Sequence, residues 1–128
     1  MTRVAIDTNR LTDFFRGDAE LTADLEFRRE VWIPLPVLGE VEAGFQSGGQ
    51  VHRNRRKLQA LLEKPAFAVL LPDENTAGHY GHLFSELRRQ GKPIPDNDLW
   101  IAALCVQHNL TLISRDRHFD RIPQLMRA

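Results

Sequence analysis

Residues 94–116 read IPDNDLWIAALCVQHNLTLISRD, and this stretch decides the fold class. From Leu99 to Val106 the residues are apolar nearly all round a helix, which predicts a helix buried in the middle of the fold. Asn109 is typical of the residue that ends a helix, and 111–114 then predicts a short strand. A buried helix that leads directly into a short apolar strand favours an α/β fold.

Outward from this stretch, predicted strands and helices alternate along the chain. Short apolar runs predict strands at 3–6, 31–33 and 68–71. The periodic segments between them predict helices at 11–17, 19–29, from about 36 to between 44 and 49, 52–64 and 73–90. Strands separated by helices imply a parallel sheet with helices on both faces. Because no linker or repeat interrupts the pattern, we predict a single domain over residues 1–128.

The composition excludes several classes of protein. The chain has 128 residues, of which 42% are hydrophobic and 27% charged, so it can bury a core and is not disordered. No apolar run approaches the roughly 20 residues of a membrane helix. The single cysteine, Cys105, excludes a disulfide framework and a cysteine-built zinc site. Asp7 comes before any signal-peptide apolar region, so we expect a cytoplasmic protein.

The net charge of zero conceals an uneven distribution along the chain. Residues 1–50 hold 5 basic and 9 acidic side chains, a net of −4, and residues 51–128 hold 12 and 8, a net of +4. Such segregation indicates a metal site beside a surface for an anionic polymer, or else solvated charges that are segregated by chance.

Four carboxylates fall at positions where parallel α/β sheets bind ligands. Asp7 follows the first predicted strand and Asp116 follows the fourth, so both lie at strand carboxyl ends. Asp98 stands in the first turn of the buried helix, and Glu40 stands in the helix after the second strand. Grouped acids repel one another unless a cation such as Mg²⁺ or Mn²⁺ lies between them. Taken singly, each aspartate also suits a helix cap, a helix N-terminus or a turn.

Four passages, in this order, match a known set of acidic motifs. They are Asp7-Thr8-Asn9, PVLGEVEAG at 36–44, IPDNDLWIAA at 94–103 and LISRDRHF at 112–119. Together they resemble the PIN-domain ribonucleases, and within them the VapC toxins of bacterial toxin–antitoxin pairs. The resemblance spans nearly the whole chain. It implies a PIN-like three-layer α/β/α sandwich with a central, mainly parallel sheet of four or five strands.

The resemblance also implies an acidic metal site. The family's second motif places its acid four positions before a glycine, which selects Glu40 and excludes Glu42. Asp96 is interpreted as the N-cap of the buried helix or as an auxiliary contact to metal or water. Asn9 and Ser114 would hold the carboxylates or bound waters, although positions 8–10 also suit an ordinary helix start. The implied catalytic and metal-binding residues are Asp7, Glu40, Asp98 and Asp116.

The activity implied by the resemblance is metal-dependent cleavage of RNA. Mg²⁺ would serve as cofactor, with Mn²⁺ able to substitute. Transfer, ribosomal or messenger RNA would be cut to leave a 5′-phosphate and a 3′-hydroxyl, which would inhibit translation and growth. Arg115 and Arg117 flank Asp116 and are placed to contact phosphates of the RNA.

The resemblance implies two protein partners. One is a small cognate antitoxin, similar to VapB, whose tail occupies the active-site groove, and the other is a second copy of the chain in a homodimer. Apolar residues of the first two helices either form the groove for the antitoxin helix or simply pack on the sheet. These residues are Leu11, Phe14, Phe15 and Leu25.

Two alternative functions compete with the toxin interpretation. A PIN-like protein that binds or processes RNA without being a toxin would carry the same motifs. A haloacid-dehalogenase-like phosphatase would need a second aspartate at position 9, where this chain has Asn9. The five histidines show no ligand pairing, and Cys105 is expected in the core.

Overall fold

Four short parallel strands lie at the centre of the structure, a computed structural model that describes residues 3–128. Among these residues the strands are β1 (Val4–Ile6), β2 (Val31–Pro34), β3 (Phe67–Leu70) and β4 (Thr111–Ile113). The helices are α1 (Thr8–Phe15), α2 (Ala19–Glu26), α3 (Leu35–Ser47), α4 (Val51–Leu62), α5 (Glu74–Arg89) and α6 (Asp96–His108), followed by a 3₁₀ turn (Arg117–Arg121).

The strand order places a reversal of the chain beside β1. The sheet runs β3-β2-β1-β4 with all pairs parallel, so the chain moves outward from β1 to β3 and then returns to the other side of β1. Right-handed connections then place α1 to α4, which lie between β1 and β3 in the chain, on one face of the sheet. They place α5 and α6 on the other face. The predicted α/β sandwich with a parallel sheet is confirmed.

Helix α6 is buried on nearly all sides, as its sequence predicts. It packs against α5, β4 and the 3₁₀ turn, and its residues from Ile101 to Cys105 are all at most 1% exposed. Asn109 ends it in the left-handed conformation, with φ of 54°. The buried helix carries Asp98 in its first turn and so holds that carboxylate against the sheet edge.

One sequence-based interpretation is wrong, and for two leucines the structure decides between the alternatives of an exposed groove and packing in the core. Asp96 is not an N-cap, because Pro95 takes that position with an extended backbone and α6 starts at Asp96 itself. From the first helical position the Asp96 carboxylate makes no capping bond and instead accepts from the Tyr80 hydroxyl at 3.2 Å. Leu11 and Leu25 are not exposed groove residues, since both are at most 2% exposed in the core.

None of the helices formed by residues 3–128 combines the length and the apolar character that crossing a bilayer requires.

Candidate metal site

A pocket of about 460 Å³ opens at the carboxyl ends of β1 and β4. This is the edge of the sheet where the strand order reverses, the usual ligand position in an open parallel sheet. Among the described residues that line it, none is a lysine or an arginine. Its acidic lining residues are Asp7, Glu40, Asp96, Asp98 and Asp116.

Asp7 is the most buried of these acids, at 4% exposed. Its side chain caps α1 by accepting from the backbone N–H of Arg10 at 3.0 Å, and it also accepts from the Ser114 hydroxyl. The same Ser114 oxygen accepts from the backbone N–H of Asp116 at 3.0 Å. Burial raises the pKa of Asp7, because desolvation penalises the charged form more than these hydrogen bonds favour it. Ser114 therefore connects the two acids that follow β1 and β4.

Glu40 and Glu42 face different surroundings although both lie on α3. The Thr8 hydroxyl donates to Glu40 Oε1 at 2.6 Å, and both residues line the pocket. Glu42 Oε2 instead pairs with Arg55 Nε at 3.0 Å on the α4 side. Two helical positions correspond to a rotation of about 200°, so a regular helix presents only one of the two acids to the pocket. The structure presents Glu40.

Asp98, Asp116 and His118 form the tightest cluster in the site. His118 Nδ1 lies 3.0 Å from Asp98 Oδ2 and 3.2 Å from Asp116 Oδ1. The backbone N–H of His118 also donates to Asp116 Oδ1 at 2.9 Å, which fixes the start of the 3₁₀ turn. Sequence reasoning missed His118. Its spacing of two residues from Asp116 was the available signal, because a tight turn brings such neighbours to one side.

The donor set fits a hard divalent cation. Burial raises the pKa of Asp98, and the like charges of Asp116 and Glu40 raise it further. The pKa of Asp7 is raised in the same direction, so burial disfavours the charged form of two of the acids. Carboxylate oxygens are the preferred ligands of Mg²⁺ and Mn²⁺. A bound divalent cation would relieve both penalties.

The remaining site residues predicted from sequence lie at the rim of the pocket or outside its lining. Asn9 lines the pocket with an exposed side chain, and Asp96 lines it from the first turn of α6. Arg115 points to Asp13, with its Nε and one terminal nitrogen each 3.0 Å from a carboxylate oxygen. This bidentate contact lowers the pKa of Asp13. Arg117 is exposed, and neither arginine is among the residues that line the pocket.

A second cavity of about 420 Å³ adjoins the first and shares Thr8 and Glu40 with it. Its walls come from α1, α3 and α4 and combine aromatic, polar and basic side chains. The aromatic and basic residues in its lining are Phe15, Arg16, Phe45 and Lys57. A molecule that lies in the second cavity would therefore reach the acidic pocket at Glu40.

Comparison with known proteins gives a consistent set of relatives. The PIN domain family model matches residues 4–125. "Ribonuclease VapC1" of Haemophilus influenzae (strain R2866) is 39% identical over 71 residues, which are 55% of this chain and 52% of that protein. The chain thus spans about half the length of this relative.

Two solved structures resemble the fold over nearly its whole length. VapBC2 from Rickettsia felis, bound to a DNA fragment from the promoter, has a TM-score of 0.90 at 25% identity and covers 99% of this chain and 98% of that one. A toxin–antitoxin complex from Klebsiella pneumoniae has a TM-score of 0.73 at 28% identity, with 96% and 95% covered.

Proposed function

This chain belongs to the PIN domain family, and from that premise we propose that it is a metal-dependent endoribonuclease and the toxin of a toxin–antitoxin pair. One observation carries the proposal: carboxylates from four separate segments of the chain line a single pocket that no lysine or arginine of the described residues lines. Similarity to proteins named Ribonuclease VapC supports RNA as the substrate. Similarity to a toxin–antitoxin complex supports the biological role.

The proposed cofactor is Mg²⁺, with Mn²⁺ as a substitute. Asp96 and Asn9, at the rim, are placed to contact waters around the ion. When bound, the ion supplies Lewis-acid stabilisation of phosphate oxygens and lowers the pKa of water, the chemistry that phosphodiester hydrolysis requires. The residues that would hold the ion are Asp7, Glu40, Asp98 and Asp116.

The surrounding polar residues keep these carboxylates in place. The Ser114 hydroxyl donates to Asp7, and the Thr8 hydroxyl donates to Glu40 at 2.6 Å. Both bonds orient an acid whose oxygens would otherwise rotate, so less conformational freedom is lost when a cation binds. Substrate phosphates would be contacted by Arg115 and Arg117, which lie beside Asp116 and reach solvent. Asp13 holds Arg115 in a fixed orientation for that contact.

The proposed protein partners are an antitoxin and a second copy of the chain. The cavity lined by Phe15, Phe45 and Lys57 leads to Glu40 and gives the antitoxin tail a path into the acidic pocket. Phe15 and Phe45 supply apolar contact area for such a tail. A homodimer would place two such sites in one particle. We place the protein in the cytoplasm, where its RNA substrates are, and we treat residues 1–128 as one domain.

Induced expression in bacterial cells tests the toxin role. We expect the wild-type chain to stop growth and to produce new RNA ends with 5′-phosphates, which sequencing of 5′ ends can map. Asp98→Asn should abolish both effects, because it removes a metal ligand and nearly keeps the shape of the side chain. Asp24→Asn is the matched control, since Asp24 is exposed on α2, lies outside the pocket and pairs with Arg28.

Two results of that experiment would contradict the proposal. Normal growth with intact RNA, at protein levels that a blot shows to be high, would argue against a toxin. RNA cleavage without growth arrest would instead favour the RNA-processing alternative. Equal effects of Asp98→Asn and Asp24→Asn would show that the acidic pocket is not the reactive site.

A further inference from the structure

His118 contacts two of the carboxylates that the proposed function assigns to the metal ion. Its Nδ1 atom lies 3.0 Å from Asp98 Oδ2 and 3.2 Å from Asp116 Oδ1, and one ligand atom from each of the three residues lies within 4.8 Å of the others. An aspartate, an aspartate and a histidine at these separations are a set of atoms that can bind one cation. The sequence motifs indicate only acids as metal ligands and assign no role to the histidine.

The separations match those between neighbouring ligands of one ion. An octahedral ion with ligand atoms at about 2.1 Å has adjacent ligand atoms about 3.0 Å apart. The Nδ1 atom already lies at this separation from both carboxylate oxygens. His118 therefore needs little rearrangement to share an ion with either carboxylate, and the ligand atoms of all three residues lie within 4.8 Å of one another.

One hydrogen bond from His118 Nδ1 cannot fully satisfy both of the carboxylate oxygens that lie beside it. A neutral imidazole carries a single N–H, so Nδ1 can donate at most one proton while two anionic oxygens lie within reach. In the other neutral tautomer Nδ1 offers a lone pair, which repels both carboxylates unless a cation lies between them. A cation that contacts all three atoms removes this conflict.

We propose that His118 is a nitrogen ligand of the metal ion and gives the site a preference for Mn²⁺ over Mg²⁺ beyond that of an all-carboxylate site. The inference rests on the proposed function, since it concerns the same ion. Imidazole nitrogen is a better ligand for transition metals than for Mg²⁺, which binds oxygen almost exclusively. The nitrogen ligand should therefore strengthen Mn²⁺ binding more than Mg²⁺ binding.

Pulsed electron paramagnetic resonance of Mn²⁺ bound to the purified full chain tests the assignment without any RNA. We expect the wild-type spectrum to show the nitrogen modulation of a directly coordinated imidazole. His118→Asn should remove this modulation, because asparagine has no imidazole nitrogen. Its side chain can still offer an oxygen to the ion near the former Nδ1 position. By calorimetry His118→Asn should weaken Mn²⁺ binding about tenfold and Mg²⁺ binding less than about threefold. His52→Asn, on the exposed surface of α4, should behave like wild type.

The outcomes separate the ligand assignment from the proposed function. Mn²⁺ bound without nitrogen modulation, or modulation that persists in His118→Asn, would overturn the role of His118 alone. Equal weakening of Mn²⁺ and Mg²⁺ binding by His118→Asn would overturn the preference. Mn²⁺ binding that Asp98→Asn leaves unchanged would place the ion elsewhere and would count against the proposed function as well.

Discussion

At the scale of single residues, Glu40 and Glu42 give the sharpest comparison that the chain offers. Glu40→Gln should lower the rate of RNA cleavage at least tenfold, equivalent to about 1.4 kcal/mol of transition-state stabilisation, because Glu40 faces the acidic pocket. Glu42→Gln should cleave at close to the wild-type rate, since its loss affects only an exposed ion pair with Arg55. Rates measured at several Mn²⁺ concentrations would show whether excess metal masks a weakened site.

Equal losses in the two variants, or a larger loss in Glu42→Gln, would show that the proposed register of α3 against the pocket is wrong. For each variant, a melting temperature equal to that of wild type serves as the control that the protein is folded.

The role of a single residue could be predicted where a sequence motif includes that residue. It could not be predicted where the contact forms only when the chain folds. The glycine register selected Glu40, which does lie at the pocket. His118 was missed because its partner Asp98 lies 20 residues away, and only the folded 3₁₀ turn brings them together. The Thr8 contact to Glu40 was missed for a similar reason, since it joins α1 to α3 across 32 positions.

At the scale of elements, Asp7 has two roles at the junction of β1 and α1. It caps α1 and lines the acidic pocket, and burial raises the pKa of its carboxyl. In the unfolded chain the carboxyl ionises near pH 3.9. The folded state therefore disfavours the charged form, so ionised Asp7 lowers the free energy of unfolding at neutral pH, and this cost disappears as pH falls through the raised pKa.

We predict that Asp7→Asn raises the melting temperature of the metal-free protein at pH 7 by at least about 2 °C. Asparagine is an equally good N-cap, so the helix start is kept. The difference from wild type should shrink as the pH is lowered towards 4, and it should also shrink when Mg²⁺ is added. Asp18→Asn, which replaces the N-cap of α2 outside the pocket, is the control. Differential scanning calorimetry would check this, and a lower melting temperature for Asp7→Asn at pH 7 would contradict it.

Element boundaries show what local sequence could and could not predict. The left-handed Asn109 and the all-round apolar α6 were predictable, because both depend on the helix itself. The start of α6 was predicted one position too late, since aspartate is a residue type typical of a cap while Pro95 takes the extended backbone that a cap requires. The burial of Leu11 and Leu25 depends on packing between elements, which helical spacing alone does not determine.

At the scale of the whole molecule, the strand order explains why acids distant in sequence meet. Because β4 returns beside β1, Asp7 and Asp116 follow neighbouring strands, although they stand more than 100 positions apart. A parallel α/β sheet was predictable from alternating elements, but the order of its strands was not. The motif resemblance predicted instead which acids gather, and its four passages contain the acids that line the pocket.

If the acidic pocket cleaves RNA with a divalent cation, the purified chain should cleave RNA only when that cation is present. Total bacterial RNA is incubated with the wild-type protein in Mg²⁺, in EDTA, and in EDTA followed by excess Mg²⁺, with Asp7→Asn in parallel. We predict discrete fragments with 5′-phosphates in Mg²⁺, none in EDTA, recovery when Mg²⁺ is restored, and no cleavage by Asp7→Asn. Cleavage that continues in EDTA, or that Asp7→Asn performs at the wild-type rate, would contradict metal-dependent cleavage at the acidic pocket.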